Sequence, residues 1–207
     1  MNRKPMLLKR IIGITNREEK RTVGLLGTSR GAGVTYTGML LSSYFGMEKR
    51  IKTAFLECNN HRDFERLQNA CEWTKEDGKS FSLDRITYYK NVAPNEIAEI
   101  FSHDYGCYIL DFGTDFNTWK EEFLRCGTKI IIGDRAIWNQ SKTAEFIRLL
   151  ECISGSRKWI YLMPNATRRE LARLSGKTER SFFKVPYEPD QTLLSKETVK
   201  LFQRLIG

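Results

Sequence analysis

The chain has 207 residues, of which 41% are hydrophobic and 29% charged, enough for one sizeable packed core and marginal for two domains. Five cysteines (Cys58, Cys71, Cys107, Cys126 and Cys152), odd in number and without CxxC spacing, exclude a disulfide framework or a zinc site and point to reduced, mostly buried thiols. The formal net charge of +9 gathers at the start, where seven basic residues from Arg3 to Arg21 meet only Glu18 and Glu19, so residues 1–20 read as a basic extension, either a solvated tail or a contact for nucleic acid or anionic lipid.

No stretch approaches the roughly 20 apolar residues of a membrane span, and MLLKRIIGI is too short and too interrupted for a signal segment. The expected location is cytoplasmic. From about Arg21 the chain alternates short apolar runs with helical patterns. Val23–Leu26 reads as a strand, followed by a glycine-rich turn and a helix over Tyr36–Met47. Ile51–Leu56 is a second strand and Arg62–Cys71 a short helix. Glu72–Ser80 is polar and loop-like, Phe81–Tyr89 alternates as one edge strand, and Pro94–Ser102 is helical. Tyr108–Leu110 is a buried strand, then Asn117–Arg125 a helix, Lys129–Ile132 a strand and Gln140–Ile153 an amphipathic helix. Trp159–Met163 and Phe182–Val185 are further strands, separated by a helix over Thr167–Leu174 capped by Asn165 or Thr167. Thr192–Leu205 closes the chain as a helix. Strands separated by helices imply βαβ units: an α/β, doubly wound, mainly parallel sheet with helices on both faces, formed by residues 21–207.

In such sheets ligands sit beyond the carboxyl ends of the strands. After the first strand comes GTSRGAGVTYT, Gly27 to Thr37. A strand, a glycine-rich loop and a helix N-terminus together hold phosphate, because free backbone N–H groups and the helix dipole converge on an anion. Against the P-loop pattern GxxxxGK[ST], Gly33 takes the second glycine and Thr35 the magnesium-facing hydroxyl. Thr28 stands in place of the first glycine and Val34 in place of the lysine. The candidate nucleotide-binding residues are Ser29, Arg30, Gly31, Ala32, Gly33, Val34, Thr35 and Tyr36. At the other strand tips stand Glu57 and Asn59, then Asp111, then Asn165, then Pro186. An aspartate at the tip of a buried strand beside a P-loop is the Walker B arrangement, so Thr35, Glu57 and Asp111 are the candidate magnesium residues. Asn165 could pair with a base and Pro186 pack against it. Taken singly, each could also be a turn cap, a helix cap or a strand end.

The span from Arg21 onward resembles the MinD/ParA family of deviant Walker A P-loop ATPases. The opening strand and loop resemble that family's loop, LECNN (Leu56–Asn60) occupies the place of its paired aspartates, YILDFG (Tyr108–Gly113) its Walker B segment, and Asn165 with VPYEPD (Val185–Asp190) its base-binding end. The resemblance implies a P-loop fold that binds ATP and Mg²⁺, dimerises with nucleotide at the interface and positions a cargo. The departures are specific. Val34 replaces the Walker lysine. Ser29, with Arg30 beside it, replaces the signature lysine. Glu57 and Asn59 replace the two aspartates, and an amide cannot serve as a base. The implied molecule is a catalytically degenerate pseudo-ATPase, a positioning or regulatory partner, closest in its atypical loop to localisation factors of the TadZ/CpaE type in pilus assembly. The alternative is a slow Mg-ATPase in which Arg30 replaces the lysine and Glu57 serves the metal. Expected partners are a second copy and a protein of a larger assembly.

Two surfaces invite other partners. The last helix places Val199, Phe202 and Ile206 on one face near Lys196, Lys200 and Arg204, which either docks peripherally on a membrane or covers the sheet. Arg168, Arg169, Arg173, Lys177 and Arg180 would serve nucleic acid, or form a solvated helix face or a protein-docking patch. His61 and His103 read as surface or loop residues, and Tyr36, Trp73, Trp119, Trp138 and Trp159 as packing residues.

Overall fold

The fold is described from a computed structural model, in which residues 20–71 and 75–207 are placed; the basic segment before Lys20 and Trp73 lie outside the described residues. The strands are β1 (Arg21–Gly27), β2 (Thr53–Glu57), β3 (Lys75–Asp77), β4 (Ser80–Leu83), β5 (Ile86–Tyr89), β6 (Cys107–Asp111), β7 (Thr128–Ile132), β8 (Ile160–Pro164) and β9 (Phe182–Val185). The helices are α1 (Val34–Ser43), α2 (Asp63–Ala70), α3 (Ile97–Ser102), α4 (Phe116–Arg125), α5 (Gln140–Leu150), α6 (Arg168–Thr178) and α7 (Lys196–Ile206).

The strands form one sheet in the order β3-β4-β5-β2-β6-β1-β7-β8-β9. From β5 to β9 every neighbour is parallel. The chain runs from β1 out to β2 and β5, returns to insert β6 beside β1, then continues on the other side through β7, β8 and β9. Side chains alternate across the sheet, so each strand feeds two cores. Leu26, Tyr108 and Leu110 point to the face covered by Ile97, Ile100, Trp119, Phe123, Ile147 and Leu174, that is by α3 to α6. Leu25 and Ile109 point to the face covered by Leu40, Leu41, Phe64 and Phe202 of α1, α2 and α7. Strands buried on both faces read as continuous apolar runs, which is why YIL and KIII are visible in the sequence.

The Glu72–Tyr89 region departs from expectation twice. Lys75–Asp77 is a strand paired antiparallel with β4, not loop. The single strand expected over Phe81–Tyr89 is a hairpin, β4 and β5, turning at Asp84-Arg85, with Asp84 at φ 51°. Phe81, Ile86 and Tyr88 are all buried on one face, and the Phe81 and Tyr88 rings stack at 4.9 Å. The two-residue turn pairs Leu83 with Ile86, so the inward phase shifts by one residue, from Phe81 and Leu83 to Ile86 and Tyr88. Asp-Arg is not a signature hairpin pair, and a reading as one continuous strand passes over that shift.

The first helix begins at Val34 and ends in a π-turn over Tyr44–Glu48. Thr167 is the N-cap of α6, closing a capping box with Glu170. The last helix starts at Lys196 rather than Thr192. Thr192 closes a turn on Asp190, and Ser195 caps α7 through the Thr198 N–H. The apolar face of α7 is spent on the sheet: Phe202 is 1% exposed, and Val199 and Ile206 pack against the same cluster. No helix among the described residues is long and apolar enough to cross a membrane. Cys58, Cys107 and Cys126 are buried free thiols, Cys71 is intermediate and Cys152 exposed. Burial pushes Cys107 up to about 12.

Candidate functional site

β1 delivers the chain to Gly27 at the carboxyl end of the sheet, and residues 28–33 loop back into α1. Gly31 (φ 81°) and Gly33 (φ 97°) occupy the left-handed region, where a side chain is strained; a Cβ on Gly33 would also meet Pro164 at 3.0 Å. The loop is fastened to the β7–α5 side. The Thr28 N–H bonds the Ile132 carbonyl at 3.0 Å, and its hydroxyl meets that of Thr143 at 2.7 Å. Ser29 donates to Asp134 Oδ2 at 2.7 Å, a buried carboxylate that also accepts from Asn139 and the Ala136 N–H. The backbone N–H groups of Gly31, Gly33, Val34 and Thr35 make no hydrogen bond with the described residues. They are the unbonded amides that a helix N-terminus offers to an anion.

Val34 is 8% exposed and packs in the core against Gly27, where an added Cβ would come within 2.6 Å of its Cγ2. Its isopropyl group therefore sits partly inside the protein. One residue on, the Thr35 hydroxyl donates to Asp111 Oδ2 at 2.6 Å. Asp111 is fully buried and accepts the Gly113 N–H on Oδ1 at 2.9 Å. Burial pushes its carboxyl above the ordinary aspartate range, against the pull of the Thr35 and Gly113 bonds.

These groups face a cavity of about 280 Å³ lined by Ser29 to Gly31, Gly33 to Tyr36, Asp111 and Gly113, together with His61, Asp63, Arg66 and Thr114. The structure thus gathers most of the loop candidates with Asp111. It adds His61, which differs from a plain surface histidine by lining this cavity, and the Asp63–Arg66 ion pair at 2.8 Å. The signal for these two was positional: α2 begins directly beyond the β2 tip, at the ligand end of the sheet. Ala32 is buried and Arg30 exposed, without a hydrogen bond or ion pair to the described residues.

The other candidates stand outside the cavity lining. Glu57 is 1% exposed, and its Oε1 accepts the Asp63 N–H at 2.6 Å and the Phe64 N–H at 3.3 Å. Its Oε2 accepts the Asn91 N–H at 3.2 Å. Its carboxylate caps α2, and burial pushes its pKa up in spite of these bonds. Asn59 donates to the Asp111 carbonyl at 3.1 Å and accepts the His61 N–H, bracing the strand tip. Asn165, at φ 56°, presents a buried Oδ1 with no hydrogen-bond partner among the described residues. Pro186 is buried beyond β9, and its carbonyl accepts from the Tyr36 hydroxyl at 3.2 Å. That hydroxyl in turn accepts the Glu188 N–H at 2.7 Å, so Tyr36 ties the first turn of α1 to the 186–188 loop.

Comparison with protein-family models and with curated sequences finds no match. Solved structures do match. A plasmid partition protein of Borrelia burgdorferi bound to AMPPNP superposes with a TM-score of 0.62 at 11% identity, over 91% of this chain and 97% of that one. The fold is that of the ParA and MinD ATPases. A ParA family ATPase of Chlorobium tepidum gives 0.60 at 14% identity over 90% and 92% of the two chains. MinD of Pyrococcus horikoshii in complex with Mg-ADP gives 0.52 at 12% identity over 82% of each.

The remaining aromatic and basic candidates divide. Trp119 is buried, and Trp159 packs on Phe123 at 5.3 Å. Trp138, expected as packing, is 76% exposed on the turn after β7. Arg180, expected on an open basic face, is 5% exposed and pairs with Glu151 at 3.3 Å; Arg168, Arg169 and Lys177 stay exposed. His103 is bonded to the Tyr89 hydroxyl at 3.0 Å.

Proposed function

We propose that this chain binds a nucleoside triphosphate with Mg²⁺ through the β1–α1 loop, turns it over poorly, and works as a positioning or regulatory partner rather than as a motor. The observation that carries the reading is the Thr35–Asp111 pair at 2.6 Å on the cavity wall, beside a loop whose lysine position is a valine packed inward. Two hard oxygen donors and no protein cage suit Mg²⁺, which takes one or two side-chain ligands and completes its shell from phosphate and water. Among the described residues no group of three or more His, Cys, Asp or Glu competes as a metal site. The unbonded loop amides would take the phosphates, and the orphan Oδ1 of Asn165 suits the amino group of an adenine. Bound Mg²⁺ would neutralise charge on the β and γ oxygens. Glu57, engaged by three backbone amides, is assigned to holding α2 in place.

Turnover is the weaker half. Losing one charge-stabilising donor costs on the order of 10²–10³ in rate; here Val34 and Asn59 remove both the lysine and the water-orienting carboxylate. The proposed task follows the resemblance: a nucleotide-dependent homodimer that places a larger bacterial assembly of pilus type. A slow Mg-ATPase is the second reading, favoured by the exposed, unengaged Arg30 at the mouth of the site. Thermal shift with ATP and Mg²⁺, run beside a phosphate-release assay, separates them. The expected result is a rise in Tm that Asp111→Ala abolishes, with release at background; at a hundredfold excess over Kd the gain is about 2.7 kcal/mol. No shift in the parent chain removes the binding reading, and Asp111-dependent release replaces it with the slow enzyme.

A further inference from the structure

The far end of the sheet carries a second surface, independent of whether the loop holds nucleotide. β9 is the last strand and, among the described residues, pairs only with β8. The Val185 carbonyl accepts the Asn165 N–H at 2.9 Å, which turns the polar groups of Val185 toward β8. By the two-residue alternation of a strand, those of Phe182 and Lys184 turn outward. The Phe182 N–H indeed faces α6, 3.5 Å from Ser175 Oγ. No described residue outside the sheet bonds the Lys184 N–H or carbonyl.

This open edge forms the floor of a groove of about 510 Å³ between α6 and α7. Its apolar surface comes from Leu171, Phe183 and Leu201, and its rim from Lys184, Lys200 and Arg204 against the single Glu197. Lys184, Lys200 and Arg204 are exposed, and the Arg204 guanidinium lies 5.1 Å from the centre of the Phe183 ring. We propose that this groove docks an extended acidic peptide segment of a partner protein, added as a short strand alongside β9. Main-chain bonding to Lys184 would hold the segment, alternate apolar side chains would enter between Leu171 and Leu201, and its carboxylates would meet the three cations. A lysine on an edge strand discourages pairing with neutral or basic strands; the same charge favours an acidic one, which supplies the specificity. Pro186, without an N–H, ends the pairing and keeps the segment short.

The test titrates the full chain into a labelled octapeptide alternating valine and glutamate, followed by fluorescence polarisation, beside the same peptide carrying lysine for glutamate and a short labelled DNA duplex. The expected result is saturable, salt-sensitive binding of the glutamate peptide alone. Lys200→Glu with Arg204→Glu lowers its affinity by about tenfold or more. Lys184→Pro, tolerated at an outward edge position, lowers it comparably while leaving the α7 charges intact. The variants act on different elements, so a fold lost in one leaves the other decisive, with circular dichroism reporting which. Equal binding of the lysine peptide, no saturation by the glutamate peptide, or affinity untouched by the variants overturns the proposal. Tighter binding of the duplex that depends on Lys200 and Arg204 overturns it in favour of nucleic acid.

Discussion

At the scale of single residues, the proposed nucleotide site sets a hydroxyl–carboxylate pair against the lack of a lysine. The Thr35 hydroxyl donates to Asp111 at 2.6 Å, and these are the two oxygen donors of the proposed Mg²⁺ site. One position earlier, where the P-loop pattern has a lysine, Val34 packs its isopropyl group against Gly27. Because Val34 also lines the cavity, a lysine stem placed there has a route outward along the wall. Val34→Lys is therefore expected to tighten ATP·Mg²⁺ binding by on the order of tenfold, measured by isothermal titration. Phosphate release stays at background, since Asn59 remains an amide committed to the Asp111 carbonyl. An unchanged affinity would mean that the loop does not hold phosphate.

At the scale of elements, the loop after β9 is where the two ends of the molecule are joined. Tyr36 reaches it from α1. Glu188, 5% exposed, accepts the Ser195 N–H at 3.1 Å, the Ser195 hydroxyl at 2.6 Å and the Thr198 hydroxyl, and so fixes the start of α7. Burial raises the pKa of this carboxyl, but the bonds from Ser195 and Thr198 outweigh it and hold the group below its ordinary value. The unfolded chain then takes up its proton first as pH falls. The stabilisation is complete above the ordinary glutamate pKa and is lost as pH falls through the lowered, folded-state value. Glu188→Gln should cost about 1–3 kcal/mol near neutrality, and urea denaturation should show the gap to the parent chain closing in acid. A gap that widens on acidification would show that the carboxylate is not what these hydroxyls stabilise.

At the scale of the whole molecule, stability rests on a sheet buried on both faces, and α7 supplies much of one cover. Phe202 is 1% exposed and meets the Tyr44 ring edge-on at 5.7 Å, in the cluster that also holds Leu40 and Leu41 of α1. Phe202→Ala is expected to destabilise the fold by about 3–5 kcal/mol, read from urea midpoints. A loss under about 1 kcal/mol would show that α7 only rests on the sheet. The same contact decides between two uses of one sequence pattern. Val199, Phe202 and Ile206 make as good a membrane-facing stripe as a core-facing one, and periodicity cannot separate them. In the fold the stripe lies on the sheet, and Lys200 and Arg204 face the groove beside β9.

The amino-acid order alone determined the alternation of strands and helices, the parallel sheet and the loop at its tip. Those features are written in local periods, in apolar runs such as Tyr108–Leu110, and in glycines at positions 31 and 33 that only a left-handed backbone requires. It also shows Val34 where the P-loop pattern has a lysine, a fact of composition at one position. What only the tertiary structure decided depends on which parts of the chain meet. The Glu57 carboxylate caps α2 because the chain folds back six residues later. His61 and Arg66 line the cavity because α2 starts at the sheet tip. The β4–β5 turn is hidden because Asp84-Arg85 is not a signature hairpin pair, and only the pairing of Leu83 with Ile86 reveals the one-residue shift in side-chain phase across it. Arg180 is buried and Trp138 exposed against the habits of their side chains, since burial is set by neighbours distant in sequence, and no local pattern encodes those.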